Sequence, residues 1–92
     1  MFQVNFLEMD SNEQQAFDKA LNTARSFARL GRWDDAVECY REAIRLFPND
    51  AEAHFNLGFV YYELGRDAEA RREFDRAREL GGLANTIAKM RF

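Results

Sequence analysis

Few residues of this 92-residue chain could carry out chemistry. His54 is its only histidine and Cys39 its only cysteine. A nucleophilic thiol needs a neighbouring base or positive charge, and a zinc site needs several convergent nitrogen or sulfur ligands. Neither arrangement is present in the sequence. His54 falls on the packing face of a helical stretch, which predicts a core imidazole with satisfied nitrogens. Trp33 stands beside Asp34 where a helix should open, a packing or turn position. No glycine-rich phosphate loop and no spaced set of carboxylate ligands occurs. Carboxylates instead pair with arginine at helical spacing: Glu38 with Arg41, Glu42 with Arg45, Asp67 with Arg71 and Asp75 with Arg78. That pattern describes a solvated helix face, each pair worth a few tenths of a kcal/mol. No catalytic residue, metal or cofactor is expected, and the chain does not read as an enzyme. The side chains best suited to binding are a stripe of aromatics, Phe55, Phe59 and Tyr62, at i, i+4 and i+7.

A chain of this length forms a single domain, since smaller cores bury too little surface to divide. Hydrophobic residues are 47% and charged residues 32%, with nine Phe, three Tyr and one Trp, enough apolar surface to offset the conformational entropy of folding. Five Gly and one Pro are few for a β domain, so the composition leans helical. A net charge of −3 lacks the positive field that phosphate backbones select, and nucleic acid is not an expected partner. The positive charge is nearly all arginine, eleven Arg against Lys19 and Lys89. A lone cysteine makes no intrachain disulfide. No run approaches the ~18 apolar residues of a membrane span, and the first ten residues lack the features of a signal peptide. The expectation is a cytoplasmic protein with no membrane partner.

The elements that position these residues are repeated. Leu30-Gly31-Arg32-Trp33-Asp34-Asp35-Ala36 recurs as Leu64-Gly65-Arg66-Asp67-Ala68-Glu69-Ala70, 34 positions on. The register continues through Tyr40 and Phe74, Ala43 and Ala77, Leu46 and Leu80, and upstream through Asn22 and Asn56, Phe27 and Tyr61. Residues 17–50 and 51–84 are two copies of one unit.

Each copy predicts two antiparallel helices. Gly31 and Gly65 can take a positive φ just past a helix end, and the acids that follow suit the positive end of the next helix. Pro48 ends the first unit, and Asn49 or Asp50 can cap the helix ahead. Gly81-Gly82 ends the second. Asp10 with Glu13 and Ser11 with Gln14 form overlapping capping boxes that predict a first helix from about residue 12. Phe2, Val4 and Phe6 alternate with Gln3 and Asn5, which predicts an extended segment over 1–11. The expected helices are 12–30, 33–46, 51–64, 67–80 and a short one at 83–91, where Leu83, Ile87 and Met90 make one apolar stripe. Ala36, Tyr40, Ala43 and Ile44, and likewise Ala70, Phe74 and Ala77, set small residues between large ones so that helices can approach closely.

His54-x-x-Leu57-Gly58-x-x-Tyr61 followed by Ala70-x-x-x-Phe74-x-x-Ala77 resembles the tetratricopeptide repeat. His54 stands in the usual tryptophan place of the second copy. In the first copy Ala20, Thr23, Ala24 and Phe27 occupy the Trp, Leu, Gly and Tyr places, while Ala36, Tyr40, Ala43 and Pro48 fit fully. The resemblance implies an all-α fold: a short solenoid of two helix-turn-helix repeats plus a C-terminal cap helix, one domain over 12–92 with repeat 1 at 17–50, repeat 2 at 51–84 and the cap at 83–91.

The resemblance also implies a function, since the first helix of each pair lines a concave groove that binds peptides or protein segments in this family. By that register the groove is lined by Leu21, Asn22, Arg25, Arg29, Phe55, Asn56, Phe59 and Tyr62. The expected role is a non-enzymatic adaptor whose partner is a protein or peptide segment with apolar and acidic side chains. The alternative is a self-assembly module, a homo-oligomer whose aromatic stripe is covered by its own N-terminus or by a second copy. Two repeats leave open apolar ends, which makes such coverage a real competitor. A carboxylate-gripping variant of the groove is not supported, because Leu21 and Arg25 stand where that variant has lysine and asparagine.

Overall fold

Thirty residues without glycine or proline open the chain, and most of them form one helix, α1 (Phe2–Arg29). Three shorter helices follow: α2 (Trp33–Leu46), α3 (Ala51–Glu63) and α4 (Asp67–Glu79). The structure, a computed structural model, describes residues 2–81, with side chains described from residue 12. The fold is all-α, and no strand occurs among the described residues. α1 packs on α2, α3 on α4, and α2 on α3, so two helical hairpins stack in a short solenoid. The starts of α2, α3 and α4 agree with the sequence reading, and their ends agree to within one residue. The expected helix at 83–91 lies outside the described residues.

The start of α1 differs from expectation, because the predicted extended segment over 1–11 is helical from Phe2 onward. A period-2 pattern over five residues is weaker than the cooperativity of a helix that is already nucleated. Each added residue gains one backbone hydrogen bond, and no proline or glycine interrupts the run. The capping boxes at Asp10 and Ser11 are passed through, since a cap offers only ~1 kcal/mol against continued propagation. At 1.5 Å per residue α1 is about 42 Å long and α2 about 21 Å, so α1 overhangs its partner. Asn12 to Ala16 are accordingly exposed, and Phe17 is the first buried residue among the described side chains. Phe17 meets Phe47 there, with ring centroids 4.8 Å apart.

The two intra-hairpin turns are built alike. Gly31 (φ 74°) and Gly65 (φ 76°) take the left-handed conformation that a side chain would strain. The Arg32 N–H returns to the Phe27 carbonyl at 2.9 Å and Gly31 N–H to Ala28 at 3.0 Å; Arg66 and Gly65 repeat this with Tyr61 and Tyr62 at the same distances. These bonds satisfy carbonyls that the helix end leaves open. Each arginine then folds its guanidinium 5.0 Å from the centroid of the ring five residues behind it, Arg32 over Phe27 and Arg66 over Tyr61. Between the hairpins, Asp50 supplies the cap, its carboxylate accepting from Ala53 N–H at 2.9 Å.

Small residues set the helix spacing. Ala24, Ala36, Ala43, Ala53 and Ala77 are fully buried, which lets neighbouring axes come as close as the ~8 to 10 Å range of packed helices. Leu21, Val37, Tyr40, Leu57, Val60 and Tyr61 fill the spaces between them. The expected stripes on α2 and α4 are therefore the packing faces. Of the four expected ion pairs two form, Glu42 with Arg45 at 2.6 Å and Asp75 with Arg78 at 2.7 Å. Glu38 with Arg41 and Asp67 with Arg71 do not. Arg32 with Asp35, Arg66 with Glu69 and Arg76 with Glu79 form instead, all at i, i+3.

Candidate functional site

The candidate surface is assembled from one face of α1 and one face of α3. On α1, Asn22 and Arg29 are exposed and Arg25 is half-buried. Arg25 donates to Glu52 Oε2 at 2.8 Å and reaches Asn22 Oδ1 at 3.4 Å. That Arg25–Glu52 bridge joins the two repeats across 27 positions of chain, and Glu52 was not among the expected lining residues. Its charge and its place in the first turn of α3 were the available signal. On α3, Phe59 is 47% exposed and Tyr62 61% exposed, while Asn56 and Phe55 are half-buried. Phe55 rests on Phe74 of α4, with centroids 5.4 Å apart and the rings tilted by 48°.

Leu21 does not line this surface. It is 8% exposed and belongs to the core cluster. The reason lies in the repeat register, since Leu21, Arg25 and Ala28 stand 34 positions before Phe55, Phe59 and Tyr62. In repeat 1 Leu21 is buried in the core cluster and Arg25 reaches Glu52 on α3. In repeat 2 the same register carries larger, aromatic residues, of which Phe59 and Tyr62 stay open. A cleft of 320 Å³ adjoins Tyr62 and is lined further by Asp67, Ala70, Arg71 and Phe74.

The residues that first invited a chemical reading have structural surroundings. His54 is 7% exposed; its Nε2–H donates to the Pro48 carbonyl at 2.7 Å, and its Nδ1 lies 2.7 Å from Glu73 Oε1. It ties the loop between repeats to α4. Trp33 is half-buried against the core. Cys39 is half-buried; burial pushes its thiol pKa up, and the charges of Asp35 and Glu38 raise it further, the reverse of an activated nucleophile. Burial likewise raises the phenols of Tyr40 and Tyr61. Among the described residues no group of three or more His, Cys, Asp or Glu is placed to hold a metal ion. Nor is any described helix long and apolar enough to cross a membrane.

Two helical hairpins at a 34-residue period, packed through small residues, define a short helical-repeat solenoid. A family model described as TPR repeat matches residues 24–65, and one described as Tetratricopeptide repeat matches residues 51–81. The chain belongs to the tetratricopeptide repeat family, whose repeats generally mediate protein–protein interaction. It is similar to the photosystem I assembly protein Ycf3 of Acaryochloris marina (strain MBIC 11017), 31% identical over 87% of this chain and 50% of that protein. It is also similar to a UPF0162 protein of Xylella fastidiosa (strain 9a5c), 35% identical over 71% of this chain and 23% of that protein. The chain therefore spans half or less of the length of these curated relatives. Among solved structures, a mutant of MamA superposes with a TM-score of 0.69 at 33% identity, covering 70% of this chain and 47% of that one.

Proposed function

We propose that this protein is a non-enzymatic interaction module that binds a peptide or protein segment along the surface formed by Asn22, Arg25, Arg29, Phe55, Asn56, Phe59 and Tyr62. The observation that carries this reading is the exposure of Phe59 and Tyr62 side by side, one turn apart on α3, beside the cleft at Phe74. Contiguous exposed aromatics mark binding surfaces, because their burial by a partner releases much apolar area at little entropic cost. Asn22 and Asn56 bring amides that both donate to and accept from a peptide backbone, and Arg29 adds a cation for acidic side chains. The description of one relative as an assembly protein agrees with a protein partner.

The test is selection from a random peptide library on the intact chain, with the recovered peptides measured against Phe59→Asp. Peptides that bind the intact chain and lose at least tenfold in affinity for the variant support the groove. Equal binding by both removes it.

A second reading, self-assembly, draws on the register argument: the aromatic stripe stands where repeat 1 meets the next helix, so a second copy can stack on it. Light scattering across a concentration series separates the two. An oligomer that Phe59→Asp converts to monomer supports assembly, and a folded monomer throughout excludes it.

A further inference from the structure

On the other side of α3 a second cleft, of 390 Å³, opens between α2 and α4. Ile44 and Leu57 give it an apolar base, and Arg41, Arg45 and Arg72 stand around it with Tyr61, Glu69 and Glu73. The pairing of these charges shows what the cleft offers. Glu69 is held by both oxygens on Arg66, at 2.6 Å each, and Glu73 by His54 at 2.7 Å. Arg45 is held by both oxygens of Glu42, at 3.0 and 2.6 Å. Arg41 and Arg72 are exposed and make no hydrogen bond or ion pair with any described residue. Two guanidiniums, one from each repeat, thus stand at one cleft without an ion pair to any described residue, in a chain whose net charge is −3.

We infer that this cleft is a second docking surface, which takes a carboxylate side chain from an acidic, partly apolar protein segment between Arg41 and Arg72. The repeat pattern does not require arginine at either place. Asp75 is the counterpart of Arg41 at the 34-residue offset, and Glu38 the counterpart of Arg72. The cleft is therefore a property of the junction between the repeats and not of each repeat. A guanidinium offers a planar fork of donors that matches a carboxylate in two parallel bonds. The apolar base of Ile44 and Leu57 lowers the local dielectric and favours a segment with an aliphatic residue beside its acid, which a bare anion lacks. Tyr61 lines this cleft and Tyr62 the one beside the aromatic stripe, and successive helical residues point about 100° apart. The two surfaces are separate, so this inference does not depend on the groove reading.

The experiment follows backbone and arginine side-chain NMR resonances of the chain during titration with an acetylated hexapeptide alternating glutamate and leucine. A peptide alternating glutamine and leucine and inorganic phosphate are run in parallel. The expected result is saturable shifts at Arg41, Tyr61 and Arg72 with the glutamate peptide, affinity at least tenfold weaker for Arg41→Gln/Arg72→Gln, and unchanged binding for Phe59→Asp. Both arginines are exposed and unpaired among the described residues, so the double variant keeps its fold, which circular dichroism verifies. The inference is overturned if the glutamine peptide binds as well, if the double variant binds undiminished, or if phosphate at equal concentration gives the same shifts.

Discussion

A Cβ built on Gly58 would stand 2.8 Å from both Cδ1 and Cε1 of Phe74 and 3.2 Å from the Ala70 carbonyl oxygen. α3 and α4 therefore close on each other where one helix has no side chain and the other presents the edge of a ring. The same Phe74 supports Phe55, so this contact holds one end of the aromatic stripe in place. Gly58→Ala gains about 1 kcal/mol of helix propensity but meets an overpacking cost of about 1 to 3 kcal/mol. Urea unfolding should show a net loss of about 1 kcal/mol, and the loss should shrink in a Phe74→Leu background where the ring edge is absent.

His54 links three elements, with Pro48 before α3 and Glu73 on α4 each 2.7 Å from a ring nitrogen. His54→Leu nearly keeps the volume and strands both acceptors, the Pro48 carbonyl and the half-buried Glu73. A buried acceptor without a partner costs about 1 to 3 kcal/mol. The expected outcome is a loss of about 2 to 3 kcal/mol, read from the denaturation midpoint, with much of it absent when Glu73→Leu removes the second acceptor as well.

Phe59 and Tyr62 should separate binding from stability. Both are exposed, and surface substitutions away from special features change stability by only about 0.5 kcal/mol. Truncating an aromatic anchor at an interface costs about 2 kcal/mol or more of binding. Phe59→Ser and Tyr62→Ser should therefore melt like the intact chain while losing partner affinity tenfold or more. Phe55→Ser should do both kinds of damage, because Phe55 packs on Phe74.

The Arg25–Glu52 bridge is solvent-exposed, so its contribution to holding the repeats together is small. A double-mutant cycle with Arg25→Gln and Glu52→Gln should give a coupling of about 0.2 to 1 kcal/mol. Salt at about 1 M shortens the screening length to about 3 Å and should remove most of that coupling.

Cys39 should react slowly. Burial first, and then Asp35 and Glu38, raise its pKa, so at any pH below that value the thiolate fraction is smaller than for a free cysteine. Alkylation by iodoacetamide at pH 8 should lag a model thiol and should accelerate as pH rises. Replacing Asp35 and Glu38 by Asn and Gln should recover part of the rate.

The legible and illegible parts of this molecule divide by range of interaction. Gly31 and Gly65 marked the turns because a positive φ is a property of one residue, and Asp50 marked a helix start because a cap acts over three. The extended reading of 1–11 failed for a related reason: a local alternation was set against a helix whose cooperativity runs the length of α1. Leu21 was expected in the groove because the family register identifies a face without saying what covers it in this chain. Glu52 was passed over because its partner lies 27 positions earlier in the chain.

The amino-acid sequence by itself determined the 34-residue unit, the all-α class, the packing stripes of α2 and α4 and the breaks between helices, all of which rest on propensity, capping and spacing within a few residues. Only the tertiary structure decided how equivalent positions of the two repeats are buried, Leu21 in the core and its counterpart Phe55 half-buried, with Phe59 open. It likewise decided that His54 meets Glu73 and Pro48, and that Arg41 and Arg72 make no ion pair among the described residues. Burial and charge pairing depend on which helix lies opposite, and that neighbour is set by how the hairpins stack.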